Sequence, residues 1–272
     1  MPDLLIHSMA EFSDLILTGL AITDAREIVE IGAEFGGMSK LLADHASAVD
    51  GSLTSIDPSV KPEFAAWAAA NPATRHIAQP SLVALDHVGP ADAWLVDGDH
   101  NWFTVYHELH RIDAICREHG RPLLVFLHDI GWPSGRRDMY YAPDAIPTDY
   151  RHAYDYGGGA VPESNALLPR GGFRGNGQFA FACHEGGPRN GVLCAVEDFI
   201  ADLLGNGRTL AFAEINAVFG LGVLFSEDAP WSEALGQHLL PFHQNPLLAT
   251  LERNRLANYL RVIELQEAGL PA

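Results

Sequence analysis

The chain has 272 residues, of which 47% are hydrophobic and 19% are charged, a composition that supports a globular core and argues against disorder. Its 35 acidic and 17 basic residues give a net charge of −18, which repels phosphate backbones and argues against a nucleic-acid partner. Three cysteines without a C-x-x-C pair, and a first segment that lacks the basic and apolar parts of a signal peptide, predict a cytoplasmic protein with reduced thiols.

Five short apolar runs alternate with segments of helical spacing. The runs predict strands at residues 28–31, 52–56, 75–78, 93–96 and 123–127. The helical segments lie before and between them, at residues 8–20, 37–46, 61–70, 81–87 and 101–118. Strands that alternate with helices are typical of a parallel sheet covered on both faces, so the sequence predicts an α/β, doubly wound fold.

Residues 131–189 interrupt this alternation. They contain several prolines and glycine runs and show neither a helical nor a strand period, so we expect a functional lid or a disordered loop. The pattern beyond them predicts a helix at 192–204, strands at 209–215 and 220–225, and an amphipathic C-terminal helix over 247–263. Glu214 and Asn216 interrupt the longest apolar stretch, which argues against a membrane span.

The first strand passes directly into a glycine-bearing turn, Glu30-Ile31-Gly32-Ala33-Glu34-Phe35-Gly36-Gly37, and then into a helix. This order brings a helix amino terminus and bare backbone amides against a bound cofactor. Gly32 can adopt backbone angles closed to other residues, and Gly36 lets a ligand approach the main chain. Glu34 stands where the fingerprint G-x-G-x-x-G needs a glycine, which disfavours a nicotinamide-dependent oxidoreductase. Glycines kept for packing alone are the alternative interpretation.

An acidic residue, Asp57, ends the second strand one βαβ unit after the glycine turn. Ligands of open α/β sheets bind beyond the carboxyl ends of the strands. A carboxylate there can accept both hydroxyl protons of a ribose, which is the role predicted for Asp57. The alternative is that Asp57-Pro58 only begins a turn.

Polar side chains also follow the fourth and fifth strands, as Asp97-Gly98-Asp99-His100 and as His128-Asp129. Because neighbouring parallel strands end at one edge of a sheet, Asp97, His128 and Asp129 are predicted to bind Mg²⁺ or Mn²⁺. Such an ion holds two oxygens of a sugar or diol and makes a hydroxyl more acidic. His100 is then placed to take the proton at neutral pH.

Two structural interpretations compete with this metal site. Asp99 can act as the amino-terminal cap of the helix at 101–118, which does not exclude a metal at Asp97. His128 can be a buried histidine whose hydrogen bonds are all satisfied. His107 and His110, three residues apart on the same helix, are interpreted as helix-surface residues.

The turn Glu30-x-Gly32-x-x-x-Gly36 resembles the first motif of class I S-adenosylmethionine (SAM)-dependent methyltransferases. The resemblance covers roughly residues 25–130 and extends to the rest of the chain only by topology. It implies a Rossmann-like methyltransferase sheet of seven strands, ended by a helix and an antiparallel hairpin. It also implies that SAM binds across Glu30, Gly32, Gly36, Ser39 and Asp57.

The segment Asp97-x-x-His100, with Asp129 downstream, is similar to the metal-dependent sugar O-methyltransferases of antibiotic biosynthesis, the macrocin type. In that family the first aspartate and the acids after the fifth strand bind Mg²⁺, and the histidine is the base. Carried over, Asp97 and Asp129 become ligands and His100 the base. Asp99 is a second catalytic candidate, as the base of a metal-free enzyme. The family commonly has two adjacent acids where this chain has His128-Asp129, which makes His128 a weaker ligand or an outer-shell partner.

The irregular segment supplies groups suited to a methyl acceptor. Arginine forks and tyrosine rings hydrogen-bond to or stack on a sugar or an aromatic molecule. The candidates are Arg136, Tyr140, Tyr141 and Arg174, and a solvated loop is the alternative.

Together these features predict a SAM-dependent O-methyltransferase that acts on a hydroxyl of a small molecule, a sugar or natural product, with help from Mg²⁺. The alternatives are a metal-free N- or C-methyltransferase and a non-catalytic cofactor-binding protein. The predicted divisions are a helical extension at 1–25, a methyltransferase domain at 26–230 with a lid insertion at 131–189, and a helical extension at 231–272. The terminal helices are expected to offer surfaces for a homo-oligomer.

Overall fold

The computed structural model describes residues 5–269. Its strands, in chain order, are β1 (Glu27–Ile31), β2 (Ser52–Ile56), β3 (Thr74–Ile77), β4 (Ala93–Val96), β5 (Leu124–His128), β6 (Met139–Tyr140), β7 (Tyr154–Asp155), β8 (Gly159–Val161), β9 (Ser164–Leu168), β10 (Ala180–Ala182), β11 (Leu210–Ile215) and β12 (Leu221–Ser226). Its α-helices are α1 (Ser13–Ile22), α2 (Gly37–Ala48), α3 (Pro62–Ala70), α4 (Ser81–Ala84), α5 (Trp102–Glu118), α6 (Val192–Gly205), α7 (Ser232–Leu239) and α8 (Pro246–Glu267).

Seven of these strands form the central sheet, in the order β3-β2-β1-β4-β5-β12-β11. The first five run parallel, whereas β12 is antiparallel to both β5 and β11. The predicted doubly wound, mainly parallel α/β sheet is therefore confirmed. The register pairs Ile31 with Val96 and Val96 with Leu127, which brings the ends of β1, β4 and β5 to one edge.

Alternating side chains of the strands feed two hydrophobic cores, one on each face of the sheet. Ile28 belongs to the core that α1, α2 and α7 cover, and Val29 belongs to the core that α5 and α6 cover. Both faces are buried because parallel strands are joined by helices that cross over the sheet. Trp94 and Phe126 are fully buried, one in each core, and anchor the two strands that carry the candidate site.

The segment 131–189 is not a disordered loop, because short strands organise it, and its role as a lid stays a prediction. It contains a three-stranded sheet in the order β6-β10-β7 and a hairpin of β8 and β9. Its 3₁₀ turns lie at Pro143–Ala145 and Thr148–Tyr150. Four of these five strands have only two or three residues, too few for a period-2 pattern to show, and the five residues of β9 are half-buried or exposed and show no alternation of apolar and polar side chains.

Two of the predicted helices differ in detail from those in the structure, and the predicted terminal extensions are only partly described. The leading helix starts as a 3₁₀ turn at Met9–Phe12 before α1, and the predicted helix at 81–87 shortens to α4. The predicted extensions at 1–25 and 231–272 include residues 1–4 and 270–272, which lie outside the described residues, and the division into domains stays a prediction. Among residues 5–269, no helix has both the length and the apolar character needed to cross a bilayer.

Candidate active site

Three side chains that follow β4 and β5 converge at the carboxyl edge of the sheet. His100 Nε2 lies 3.0 Å from Asp129 Oδ2 and 3.4 Å from Asp97 Oδ1. One ligand atom from each of the three side chains lies within 4.8 Å of the others. The two carboxylates offer the oxygen ligands that a divalent cation such as Mg²⁺ or Mn²⁺ prefers, with the His100 imidazole beside them, so the residues fit the metal that the sequence predicts.

His128, the last residue of β5, stands beside this group. Its Nδ1 lies 3.2 Å from Asp97 Oδ1 and 3.1 Å from Asp129 Oδ2, and its Nε2 lies 3.0 Å from the carbonyl oxygen of Val218. A carbonyl only accepts, so Nε2 must carry a proton and donate it. His128 is 2% exposed and is not one of the three clustered ligand residues. Of the two roles predicted for it, this geometry favours the outer-shell partner over the ligand.

The two histidines and the two aspartates at this edge of the sheet shift one another's pKa values. Burial disfavours the charged form of His100, but the carboxylates of Asp129 and Asp97 outweigh burial and raise the pKa of His100 to about 10. Burial likewise opposes the charge on His128, and the same two carboxylates raise its pKa well above the usual range. Burial would raise the pKa of Asp97 and of Asp129, yet the two imidazoles hold both below the usual range.

The raised pKa corrects one assumption behind the catalytic role of His100. An unperturbed value near 6.5 would leave the imidazole neutral at neutral pH. The two carboxylates instead favour the doubly protonated imidazole of His100, whose Nε2 is paired with Asp129 and in that form cannot accept another proton. Its Nδ1 is buried without a hydrogen-bond partner among the described residues. A base at His100 therefore requires positive charge near the carboxylates to replace the proton.

Asp99, the second catalytic candidate, is not a member of the clustered group. Its Oδ2 accepts a hydrogen bond of 3.2 Å from the Thr104 hydroxyl, and burial raises its pKa. The amino-terminal cap of α5 is Asn101, whose side chain accepts from the Thr104 amide at 2.9 Å. The alternative in which Asp99 caps this helix is therefore wrong, and its catalytic role stays a prediction.

The glycine turn after β1 lies directly against the Asp97 segment. Gly32 has a φ of 88°, and a Cβ at this position would overlap the carbonyl group of Asp97. Gly36, the residue before α2, has a φ of 75°, and a Cβ there would strike the ring of Phe64. Packing thus accounts for a glycine at this position, and the close approach of a ligand to Gly36 stays a prediction. The amino end of α2 has no side-chain cap, which leaves its first amides available to an anionic group.

Glu30 and Ser39 lie beneath this turn and are bonded to each other. The Ser39 hydroxyl donates to Glu30 Oε2 at 2.5 Å, and the Ser55 hydroxyl donates to the same oxygen at 2.9 Å. Burial raises the pKa of Glu30 to about 7 despite these two hydrogen bonds. Their contact with a cofactor stays a prediction, and the geometry assigns them a supporting role that ties β1 and β2 to the start of α2.

The carboxylate of Asp57 is also largely occupied by backbone. Oδ2 accepts from the amides of Ala33 and Glu34 at 2.9 and 3.0 Å, and Oδ1 accepts from the amide of Ser59 at 2.7 Å. A carboxylate offers roughly four acceptor positions, so one remains. The predicted acceptance of two ribose hydroxyls is therefore reduced to one unless the turn rearranges. The bond to the turn amides couples any ligand at Asp57 to the conformation of the turn.

The insertion docks on this site through its first strand. The Met139 amide donates to the carbonyl of His100 at 2.9 Å, and the Tyr141 ring centroid lies 6.0 Å from that of His100. Tyr141 is 49% exposed, so its ring offers an open face beside the cluster. Of the four predicted acceptor-binding residues, Tyr141 is the one in contact with the cluster.

The other three acceptor candidates are engaged elsewhere. Tyr140 is 1% exposed and its hydroxyl donates to Asp138 at 2.7 Å, which corrects its predicted role as an acceptor contact. Arg136 forms a fork with Glu197 of α6, and Arg174 binds Glu267 at the end of α8. For these two arginines, acceptor binding stays a prediction that requires the ion pairs to open.

Two cavities of about 220 and 260 Å³ lie at the opposite edge of the sheet. Asp24, Arg26 and His45 line the first, and Arg75 and Pro90 lie in the second, beside the amino ends of β1, β2 and β4. They do not adjoin the carboxyl edge where the side chains of the candidate site converge.

The strand order, with β12 as the reversed strand next to the edge, is that of the Rossmann-like methyltransferase fold. No protein-family model matches the sequence, and no curated protein matches it. Solved structures similar to the chain include a cofactor-bound protein from MTB, at 16% identity over 81% of both chains with a TM-score of 0.46.

Two further similar structures are O-methyltransferases. One, from Bacillus cereus in complex with SAH, is 13% identical over 80% of this chain and 81% of its own, with a TM-score of 0.45. The other, TomG from Streptomyces achromogenes in complex with SAM, is 18% identical over 83% of both chains, with a TM-score of 0.44. At these values the likeness assigns no activity, which has to be argued from the site.

Two residues at or near the site, Ser55 and Val218, have no sequence signature that points to them, and a third, Glu108, has a single sign. Ser55 lies inside β2, Val218 lies in the turn between β11 and β12, and Glu108 is buried on α5. Neither carboxylate oxygen of Glu108 has a hydrogen bond of good geometry among the described residues. Burial raises the pKa of Glu108 to about 8, an effect that the nearby Ser81 side chain opposes. A glutamate on the apolar face of a helix was the available sign for Glu108, since such positions normally hold hydrophobic residues.

Proposed function

We propose that the chain is a SAM-dependent O-methyltransferase that acts on a hydroxyl of a small molecule, a sugar or natural product, with a divalent metal. The observation that carries the proposal is the convergence of Asp97, His100 and Asp129 within 4.8 Å, next to the glycine turn. The turn and the uncapped amino end of α2 suit the carboxylate and ribose of SAM. The cluster suits the acceptor hydroxyl and the proton that it loses.

Each residue has a role in this reaction. Asp97 and Asp129 would hold the metal, which when bound supplies positive charge that makes an acceptor hydroxyl more acidic. His100 would take the hydroxyl proton on Nε2, the atom that faces both carboxylates. Tyr141 would cover the acceptor from the insertion. Because the sulfonium of SAM is already reactive, alignment of donor and acceptor and removal of the proton provide the rate.

Release of S-adenosylhomocysteine (SAH) from SAM tests the proposal, measured with a panel of sugar and natural-product hydroxyls in Mg²⁺ or in EDTA. Acceptor-dependent and metal-dependent release that Asp97→Asn abolishes would support it. Release in EDTA at the full rate would favour the metal-free N- or C-methyltransferase. SAH binding without release for any acceptor class would favour the non-catalytic alternative.

Self-association through the terminal helices is a second, independent proposal. Leu247 and Leu251 lie one turn apart on α8 and are 65% and 56% exposed, and Leu240 between α7 and α8 is 69% exposed. Apolar side chains clustered on a surface favour an interface. Sedimentation of the wild type and of the double variant Leu247→Lys/Leu251→Lys tests this. A wild-type dimer that the substitutions dissociate would support the interface, and a monomer in both cases would contradict it.

A further inference from the structure

A strained dipeptide lies between the candidate metal cluster and the C-terminal helix. Val218 and Phe219, in the turn between β11 and β12, have φ values of 42° and 64° and are 8% and 4% exposed. Left-handed backbone is unfavourable for residues with a Cβ, and most of all for a β-branched residue such as valine. Two such residues in succession persist only where surrounding contacts hold them.

The amides of this dipeptide are held from one side by Glu252 of α8. The Val218 amide donates to Oε2 at 2.9 Å and the Phe219 amide donates to Oε1 at 3.0 Å. Arg255, one turn further along the helix, donates to the same two oxygens at 2.6 and 2.8 Å. The Arg255 guanidinium also lies 4.4 Å from the centroid of the Phe219 ring. Each carboxylate oxygen of Glu252 thus accepts one hydrogen bond from a backbone amide and one from Arg255.

The carbonyls of the same dipeptide face the candidate site. The Val218 carbonyl accepts from His128 Nε2 at 3.0 Å, and the Phe219 carbonyl accepts from the Gly131 amide at 2.6 Å. His128 and Gly131 flank Asp129 in sequence, and His128 presents Nδ1 to Asp97 and Asp129. The dipeptide therefore joins Glu252 on one side to the loop that carries Asp129 on the other.

We infer that Glu252 is a positioning residue, which fixes the Val218–Phe219 backbone so that His128 holds its ring with Nδ1 towards the two carboxylates. The inference rests on the proposed function, because it assigns the support of the proposed metal site to a helix more than a hundred residues further along the chain. Without the fixed carbonyl, the buried Nε2–H would lose its acceptor, and the ring could turn and exchange its two nitrogens.

The orientation of the His128 ring can be observed in the metal-free protein by ¹⁵N–¹H correlation of the histidine side chains. In the wild type we expect a protonated Nε2 whose hydrogen exchanges slowly. Glu252→Gln retains one acceptor but turns an NH₂ group towards the other backbone amide, so exchange of that hydrogen should accelerate on the order of tenfold. The matched control is Glu264→Gln, which breaks a comparable pair with Arg261 (2.8 Å) on the exposed part of the same helix. It should leave the His128 signals unchanged.

A second readout separates positioning from simple docking of α8. Mn²⁺ affinity, measured by electron paramagnetic resonance, should fall on the order of tenfold in Glu252→Gln, as is typical for loss of an outer-shell contact. In a His128→Ala background the same substitution should have no further effect on Mn²⁺ affinity. An equal loss in both backgrounds, or unchanged His128 signals in folded Glu252→Gln, would overturn the inference.

Two outcomes need separate treatment. If Glu252→Gln does not fold, Glu252→Asp, which keeps the charge but withdraws the carboxylate by one methylene, decides by the same His128 signals. If the wild type binds no Mn²⁺, the proposed metal site fails, and the side-chain signals alone still decide whether Glu252 positions His128.

Discussion

His100 Nε2 lies 3.0 Å from Asp129 Oδ2, so the side chain that follows β4 is paired with the side chain that follows β5. The pairing depends on the parallel register of the two strands, in which Val96 lies opposite Leu127. A polar group of this kind at the carboxyl edge of the sheet is where α/β folds bind ligands.

Replacement of a carboxylate ligand should remove the metal. Asp97→Asn should weaken Mn²⁺ binding by more than about 100-fold, since loss of an outer-shell partner alone typically costs about 10- to 100-fold. Asp86→Asn, which breaks a surface pair with Arg111, should bind Mn²⁺ as the wild type does. Titration by electron paramagnetic resonance measures both. Equal affinity in Asp97→Asn and Asp86→Asn would remove Asp97 from the metal site.

Removal of the proposed base should slow the reaction without loss of cofactor. His100→Ala should lower kcat by about 10²- to 10⁴-fold, the usual contribution of a positioned base. SAH affinity should barely change, because His100 faces the carboxylates and the Tyr141 ring. His119→Ala, at the exposed carboxyl end of α5, is the control. A near-normal kcat in His100→Ala would transfer the role to Asp99.

A methyl group on Gly32 should disturb both the glycine turn and the neighbouring segment that carries Asp97. The φ of 88° strains any other residue, and the added Cβ would overlap the Asp97 carbonyl group. Gly32→Ala should therefore lose both SAH and Mn²⁺ binding by about tenfold or more, given the cost of such strain. Gly89→Ala has open space around its Cβ and should keep both. Loss of one ligand only would show that the two sites are not coupled through Gly32.

Much of this architecture follows from the sequence because apolar runs and glycines are local features. The five parallel strands and the turn at Gly32 were predictable from such patterns. The sequence could not show which of Tyr140 and Tyr141 faces the site. Neighbouring residues of an extended segment point to opposite sides, and only the folded structure shows that Tyr140 faces Asp138 and Tyr141 faces His100. The occupation of Asp57 by the turn amides also depends on the folded backbone, which no spacing of residues reveals.

The buried carboxyl of Glu108 should make the stability of the protein depend on pH. Burial raises its pKa to about 8 in the folded chain, so folding takes up a proton between the usual value of 4.5 and about 8. Stability contributed by this group is therefore lost as pH rises through that window. Glu108→Gln, which carries no charge, should gain about 1–3 kcal/mol relative to the wild type across it.

Urea denaturation between pH 4.5 and 9 measures the difference in the free energy of unfolding between Glu108→Gln and the wild type. This range spans the usual and the raised pKa of Glu108. Glu118→Gln, at the exposed end of the same helix, should give a curve parallel to that of the wild type. If the free energy of unfolding of Glu108→Gln also depends on pH as that of the wild type does, the carboxyl of Glu108 is hydrogen-bonded or hydrated in solution and the prediction is wrong.

Calorimetric titration with SAH tests the central claim most directly, because it needs no knowledge of the acceptor. The account predicts binding with a Kd in the micromolar range, on the order of −8 kcal/mol. It also predicts a marked loss in Asp57→Ala, whose carboxylate holds the turn amides of Ala33 and Glu34. Tight binding of NADH with no heat from SAH would contradict the account.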